Sequence, residues 1–500
     1  MGIVTRQGSK NLLWFNIGLL LGYLNIGYLM PRYLTPEEFG ITRTIIVLGQ
    51  MVSVFSQMGL GGSIIRFMPY FRGRYAGPFM FFVATVCGGL FLLFSLLVVL
   101  LEDPLSARFA DGSPMVKQYF LYLVPMGFAL FTYDMASHYA RATFQAVVPV
   151  FLKEVLQRIL VLLLISAFAL QWLHFRTFFW FYIGCHLIPT VALFIFLRHK
   201  GLQFTPSVKF FRPRYRKLLL NYAGFRFLNN INNLMANRVD VLMIGLLLNQ
   251  EKVGLYALGS FIAQVVQIGH KSLQPILNPL VAQTVRKRDY RHLRSMTGQS
   301  SMMFLLSGGI IFTLVWGNIE SLMVLFNPRY RKALEVIFYL GLTQLVFGHW
   351  KVYLPIIAHS KHYRSTYIMN LIQVGLLVGL DYTLIPTLGI TGAAIGTLGA
   401  RLVAVTMVLG FVWRQFKMHP FSWRYFAAIG LVTGMTLLAS ALPVAKPFYV
   451  DIVYRSSIVI VLYISAIVLL GLSPELVDML NKGLKPLGLH IPNAKKQETI

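Results

Sequence analysis

Acidic side chains are scarce in this chain: 17 Asp and Glu stand against 45 Lys and Arg in 500 residues, a formal net charge of +28. Charge of either sign is sparse as well, at 12% of residues. There are two cysteines, Cys87 and Cys185, both within apolar runs, which argues against a disulfide framework or a thiolate metal cluster. No Walker-type phosphate loop is present, so ATP hydrolysis within the chain is not expected. No Pro/Ser-rich linker, low-complexity tract or long soluble segment interrupts it. Without a soluble segment to hold a binding fold, the positive charge does not call for a nucleic-acid partner.

What fills the chain is apolar sequence. Apolar residues make up 56%, and the mean hydropathy is +0.65. About fourteen stretches are each long enough to cross a hydrocarbon core of about 30 Å as a helix. A membrane barrel would need alternating strands of about 10 residues, and that pattern is absent. The expected class is therefore an all-α polytopic membrane protein of about 14 transmembrane helices. The start, MGIVTRQGSKN, has no small-residue cleavage site, so the first span is expected to be retained. Arg6 occupies the position where a myristoylation motif needs Ser or Thr, which argues against lipidation.

The excess of Lys and Arg has a topological reading. With loops assigned alternately, basic residues favour one side by about three to one, and that side is expected to be cytoplasmic together with both termini. The loops 198–217 (RHKGLQFTPSVKFFRPRYRK) and 286–294 (RKRDYRHLR) carry much of the excess.

One pair of carboxylates is conspicuous in so basic a chain: Glu37 and Glu38 in LTPEEFGI, residues 34–41. A shift of 214 residues lays this segment over LNQEKVGL, residues 248–255, matching Leu34 with Leu248, Glu37 with Glu251 and Gly40 with Gly254. The same register pairs Asn16 with Asn230 and Gln50 with Gln264. An internal repeat follows, with an even number of spans between its copies, so the repeats run parallel. The organisation read from it is an N-terminal six-helix lobe at 1–200, a basic cytoplasmic linker at 201–217 and a C-terminal six-helix lobe at 218–416. A further helix pair at 417–473 and a cytoplasmic tail at 474–500 complete it.

Polar stripes run through four of the spans. Arg226, Asn230, Asn233, Asn237 and Asp240 fall on one helical face of span 7, with Arg238 beside them. Span 8 places Gln264, Gln267, Lys271, Gln274 and Asn278 on one face. Span 2 offers Arg43, Gln50, Ser53 and Gln57, and span 1 offers Asn16 and Asn25. A central Arg or Lys costs about 2.5–3.5 kcal/mol against lipid, so these faces should meet one another or a water-filled cavity. Interhelical amide bonding is the bland alternative, worth about 0.6 kcal/mol per contact. Stripes of four or five polar groups, each with a cation, favour the cavity.

Other intramembrane charges carry less information. Glu154 and Arg158 read as a local pair, as do Asp134 and His138. Lys351 with His349, and Arg401, are left without a facing by the sequence. The Gly-rich LGITGAAIGTLGA, residues 388–400, follows no strand and has the small-residue spacing of close helix packing at Gly392 and Gly396.

Two functional classes fit these features. A cation-biased cavity between parallel repeats describes an alternating-access carrier. Glu37 and Glu38, joined by Glu102 and Asp103, describe instead a multispanning glycosyltransferase or polysaccharide polymerase with an acidic site in its outer loops. The outer loops are short, and the repeat replaces Glu38 with Lys252. Thr35 and Pro36 also let the acids serve as the start of a helix. The carrier is preferred, with no catalytic residue, no metal site and no cofactor expected.

Span number, repeat plan and the turn YLTPEEFG (33–40) together resemble the polysaccharide-exporter branch of the multidrug/oligosaccharidyl-lipid/polysaccharide (MOP, MATE-like) superfamily. The resemblance implies a flippase for undecaprenyl-pyrophosphate-linked oligosaccharide, an O-antigen or exopolysaccharide unit, in a bacterial cytoplasmic membrane. It also implies a polysaccharide polymerase and a chain-length regulator as partners. Helices 1, 2, 7 and 8 of lipid II flippases line a cationic cavity, and their last two helices form a groove for the lipid tail. Transferred here, Arg43, Arg226, Arg238 and Lys271 would attract the diphosphate, while Asn16, Gln50, Gln57, Asn230, Asn233, Asn237 and Gln267 would bond sugar hydroxyls. An H+ or Na+ gradient is the expected drive, with Asp240 or Asp134 titrating. An ion-coupled drug exporter is the alternative within the same superfamily.

Overall fold

In the computed structural model the described residues are 3–474 apart from 72–74, 111–112, 207–212 and 419–421, together with 476–477 and 481. They form helices and connecting turns, and no strand occurs among them. Twelve helices among the described residues are long and apolar enough to cross a membrane. Fourteen spans were expected, and the difference falls on two segments that are helical yet too polar. Residues 147–169 form a helix interrupted by a π turn, Leu152–Leu156, and carry Lys153, Glu154 and Arg158. Residues 213–247 form one 35-residue helix that holds the Asn-rich stripe.

The chain divides into two compact units, Met1–Leu258 and Gly259–Ile500. The first contains α1 (Ile3–Gly22), α2 (Pro36–Gln57), α3 (Leu60–Phe67), α4 (Ala76–Leu100), α5 (Leu123–Ala142), α6 (Gln157–Ala169), α7 (Phe175–His199) and α8 (Pro213–Leu247). The division falls inside α9 (Gln250–Ala263).

In the first unit α2 packs chiefly against α5, and α5 against α7, while α8 lies along α2 and α3. The core is aromatic and aliphatic, with Phe79, Val83, Cys87, Phe91, Phe131 and Leu193 buried together. The entry to α2 explains much of LTPEEFGI. Thr35 is extended, its hydroxyl accepts from the Glu38 amide, and the Glu38 carboxylate accepts from the Thr35 amide at 2.9 Å. This reciprocal capping box satisfies two helix-end donors, and Pro36 occupies the first turn, where its missing N–H costs nothing. Gly40 sits where α2 meets α9. A methyl group there would lie 1.9 Å from the Gln250 carbonyl oxygen, and one on Gly254 would lie 1.9 Å from that of Pro36. The repeated glycine thus permits a reciprocal close approach of its two copies. Thr44 Oγ1 donates to Gln250 Oε1 at 2.6 Å beside that contact.

The second unit contains α10 (Ile268–Lys287), α11 (Tyr290–Gly317), α12 (Leu334–Trp350), α13 (Tyr363–Leu388), α14 (Ile390–Phe416), α15 (Trp423–Ala441) and α16 (Phe448–Leu469). A 3-10 turn, Gln264–Gln267, joins α9 to α10. Helices α13 and α14 form a tight hairpin, with Gly392 so close to α13 that a methyl would lie 2.1 Å from the Leu384 carbonyl oxygen. The Gly-rich 388–400 segment is therefore helix packing, as its spacing predicts.

Helix α11 packs on α12 and α15. A ladder of polar contacts stitches it and the turn that follows to α15 and α16. Tyr463 Oη donates to the Leu306 carbonyl at 2.9 Å, and Thr313 and Thr436 hydroxyls meet at 2.9 Å. Below them Asp451 and Arg455, both buried, pair at 3.0 Å. The Asp451 carboxylate also accepts from Ser321 Oγ at 2.5 Å and the Ala445 amide at 2.8 Å. The Arg455 guanidinium donates to the carbonyls of Gly317, Leu442 and Ala439, at the ends of α11 and α15. These helix C-termini leave carbonyls unsatisfied and carry partial negative charge, so a guanidinium answers both needs.

Candidate functional site

The polar faces read from the sequence fall in both units, and each cluster has its own chemistry. In the first unit, Arg43 on α2 is half-buried, with Nη2 3.0 Å from Met30 Sδ and its guanidinium 4.7 Å from the centre of the Phe39 ring. Arg238 on α8 lies within electrostatic reach of Arg43 and Asp240. Asp240 accepts a hydrogen bond from Tyr256 Oη at 2.5 Å. Arg226 lies against Gly62 of α3, where a methyl would approach its Nε to 2.8 Å. Gln57 is buried and donates to Ser53 Oγ at 3.1 Å, one turn back on the same helix.

The amides of α8 differ among themselves. Asn230 is half-buried, whereas Asn233 and Asn237 are exposed, and Asn237 Nδ2 donates to the Asn233 carbonyl at 2.6 Å. Asn16 on α1 is exposed and Gln50 half-buried. Asn25 is buried in the π turn Tyr23–Leu29 and donates to the Arg158 carbonyl at 2.6 Å.

Two local pairings expected from spacing come out differently. Glu154 and Arg158 do pair, at 2.5 Å. Asp134 instead meets Lys153, at 4.0 Å, in place of His138. Intervals of four residues on a helix make contact available, and a cation from the neighbouring segment competes for the carboxylate more strongly than an imidazole does.

The second unit gathers the denser cation cluster. The α9–α10 stripe keeps its common face through the 3-10 turn, and α12 and α14 supply the opposing groups. Gln267 Nε2 donates to Gln344 Oε1 at 2.5 Å. Lys351 Nζ approaches Gln267 Oε1 at 3.5 Å, and Arg401 Nη1 approaches Gln344 Oε1 at 3.3 Å. Lys271 Nζ reaches Gln264 Oε1 at 3.4 Å. Both Lys351 and Arg401 lie 4.9 Å from the centre of the Phe347 ring, whose π-system attracts each. His270 is 4% exposed, packs edge-on to Phe304 and lies within electrostatic reach of Lys271 and Lys351.

Beside this cluster lies a cavity of about 270 Å³, lined by Gln274, Asn278, Lys351, His359 and Thr366 among others. Such a space is large enough for a small hydrated anion or a diphosphate group. Its lining combines one ammonium with amide, imidazole and hydroxyl groups, all able to donate hydrogen bonds to oxyanions.

Lys351 and Arg401, whose facing the sequence left open, therefore converge on one site, whereas His349 turns away to Tyr425 of α15, 2.7 Å distant. Gln344, Phe347 and His270 join the site without having been expected from the stripes. Residues 344, 347 and 351 share one face of a predominantly apolar span, and that spacing is the signal that finds them. The acidic pair finds other uses: Glu38 closes the capping box, and Glu37 Oε1 accepts from Ser113 Oγ at 2.5 Å. Among the described residues no His/Cys/Asp/Glu group is arranged to hold a metal ion.

A chain of apolar membrane-crossing helices, with cationic side chains along the polar faces of both compact units, is a multi-pass membrane protein. The family model for polysaccharide biosynthesis proteins matches residues 29–326, more than half of the chain, and the protein belongs to that family. Its fold is similar to those of solved membrane transporters. The structure of the lipid II flippase MurJ in an inward closed conformation superposes with a TM-score of 0.71 at 11% identity, covering 92% of this chain and 98% of MurJ. An inward-facing multidrug resistance MATE family transporter of the MOP superfamily gives 0.58 at 14% identity, covering 85% and 96%. In sequence, the chain is 25% identical over 240 residues to a probable multidrug resistance protein NorM of Rhizobium meliloti (strain 1021). That match covers 44% of this chain and about half, 51%, of the relative.

Proposed function

We propose that the protein is a flippase that moves an undecaprenyl-diphosphate-linked oligosaccharide across the bacterial cytoplasmic membrane by alternating access. The observation that carries this reading is the cluster of Lys271, Lys351 and Arg401 around Gln267 and Gln344. An exporter of organic cations would need carboxylates in such a place. An oxyanion is instead attracted by convergent, half-buried cations. The family's tie to polysaccharide biosynthesis and the fold shared with MurJ support a lipid-linked glycan as the anion.

In the mechanism the diphosphate sits at the lysines while Asn and Gln side chains bond sugar hydroxyls with loose specificity. The isoprenoid stays in lipid, and rocking of the two repeats re-exposes the head group outside. Coupling to H+ or Na+ would act through Asp240 or Asp134. Both termini would be cytoplasmic, and a polymerase and chain-length regulator would receive the product. The acidic pair near the first turn is engaged in capping and in the Ser113 bond, which favours transport over catalysis.

The test is complementation of a strain lacking the gene. Lys271→Ala combined with Lys351→Ala is expected to lower surface glycan at least tenfold with normal protein abundance in the membrane. Full surface glycan from the double variant would overturn the reading.

A further inference from the structure

The lysines of the second unit are held without being neutralised. Among the described residues the ion pairs involve Lys117, Lys153, Arg158, Arg331 and Arg455, so neither Lys271 nor Lys351 has a carboxylate within 4.0 Å. Their contacts are instead amide carbonyls, Gln264 Oε1 for Lys271 and Gln267 Oε1 for Lys351. Orientation of the amides is fixed by chemistry, because ammonium and guanidinium groups only donate and so must face oxygen. Gln267 then has one oxygen for Lys351 and one NH2 for Gln344, and the Gln344 oxygen receives both that NH2 and Arg401. The two glutamines make a bridge that fixes the spacing of Lys351 and Arg401, two charges that repel each other.

We propose that Gln267 and Gln344 are positioning residues that hold the cationic site open for a diphosphate. An amide dipole steers an ammonium without cancelling its charge. A carboxylate at the same place would steer it equally well and remove the charge that the ligand needs. The 270 Å³ cavity next to Lys351, with Gln274, Asn278 and Thr366 in its wall and neither Gln267 nor Gln344 among its lining, gives the ligand room. The function assigned to Gln267 thereby changes: its amide is spent on Gln344 and Lys351, which leaves little of it for a sugar hydroxyl. This inference rests on the anionic cargo of the proposed function.

Purified full-length protein in detergent, titrated with farnesyl diphosphate and followed by the shift in thermal unfolding temperature, tests it. Wild type should bind, more weakly as salt rises, and Lys351→Ala should bind at least tenfold more weakly. Gln344→Glu, nearly isosteric, should unfold no earlier than wild type without ligand, since it gains an ion pair with Arg401, whereas Gln267→Glu sets an oxygen against the Gln344 oxygen and should unfold earlier; both should bind at least tenfold more weakly. Glutamate variants that bind like wild type while Lys351→Ala does not would overturn the positioning role alone. No binding by wild type, or undiminished binding by Lys351→Ala, would overturn the anionic reading and this inference with it. A Gln267→Glu protein that does not fold leaves Gln344→Glu to decide the matter.

Discussion

Thr35, Glu37 and Glu38 show how a residue can advertise chemistry and perform structure. Two adjacent carboxylates in a chain of 17 acids invite a catalytic reading. Each nevertheless has a partner that accounts for it: Glu38 the Thr35 amide and hydroxyl, both at 2.9 Å, and Glu37 the Ser113 hydroxyl. Loss of an N-cap of this kind costs about 1 kcal/mol. Thr35→Ala is accordingly expected to lower stability by about that amount in denaturant unfolding of the micelle-solubilised protein, with export retained at normal abundance. Complete loss of export by a stable Thr35→Ala protein would return these carboxylates to the functional site. His270 is the opposite case, a buried imidazole beside Lys271 whose burial the sequence does not announce, because it depends on Phe304 of α11 packing against the ring.

At the scale of elements, the C-terminal helix pair is attached to its unit by more than apolar packing. Arg455 gathers the carbonyl ends of α11 and α15, and Asp451 neutralises it while bonding Ser321 and the Ala445 amide. Breaking a buried pair by removing one partner strands the other charge, at about 3–5 kcal/mol. Arg455→Ala should show that loss in thermal unfolding, and Asp451→Leu with Arg455→Met should recover part of it, since the stranded charge is then gone. Equal damage from the single and double variants would mean that the carbonyl contacts dominate. The helices themselves were legible from apolar length. What was not legible has a common cause. Which polar face meets which is set by packing between helices distant in the sequence. Lys351 and Arg401 lie 50 residues apart on spans with no mutual pattern, so their meeting at Phe347 is a property of the folded bundle. The stripe from Gln264 to Asn278 was legible because it lies in one continuous stretch of sequence, the 3-10 turn Gln264–Gln267 and the first half of α10.

For the molecule as a whole, the order of helices in the second unit divides its loops between two membrane faces. The turn after α10, the turn before α13 and the α14–α15 connection emerge on one face. The turn after α11, Gly389 and the α15–α16 connection emerge on the other. The first face holds Arg286, Lys287, Arg288, Arg291, Arg294, Lys361, Arg364, Arg414, Lys417 and Arg424, with Asp289 as the acid among them. Arg329, Arg331, Lys332 and Lys446 lie on the second, where Glu320 and Glu335 offset part of the charge and Glu320 pairs with Arg331. Lys and Arg near short loops are retained on the cytoplasmic side during insertion, so the first face is expected to be cytoplasmic. Cys87 and Cys185 are both buried, which makes single-cysteine labelling practicable after their replacement. In intact cells a membrane-impermeant maleimide should label Lys332→Cys and leave Arg288→Cys unlabelled until the membrane is opened. The reverse pattern would invert the topology. The cavity beside Lys351 is also lined by His359, which belongs to the turn before α13, so this orientation makes it approachable from the cytoplasmic side. For the flippase proposed above, the labelling result therefore bears on the side from which the head group would enter as well as on topology.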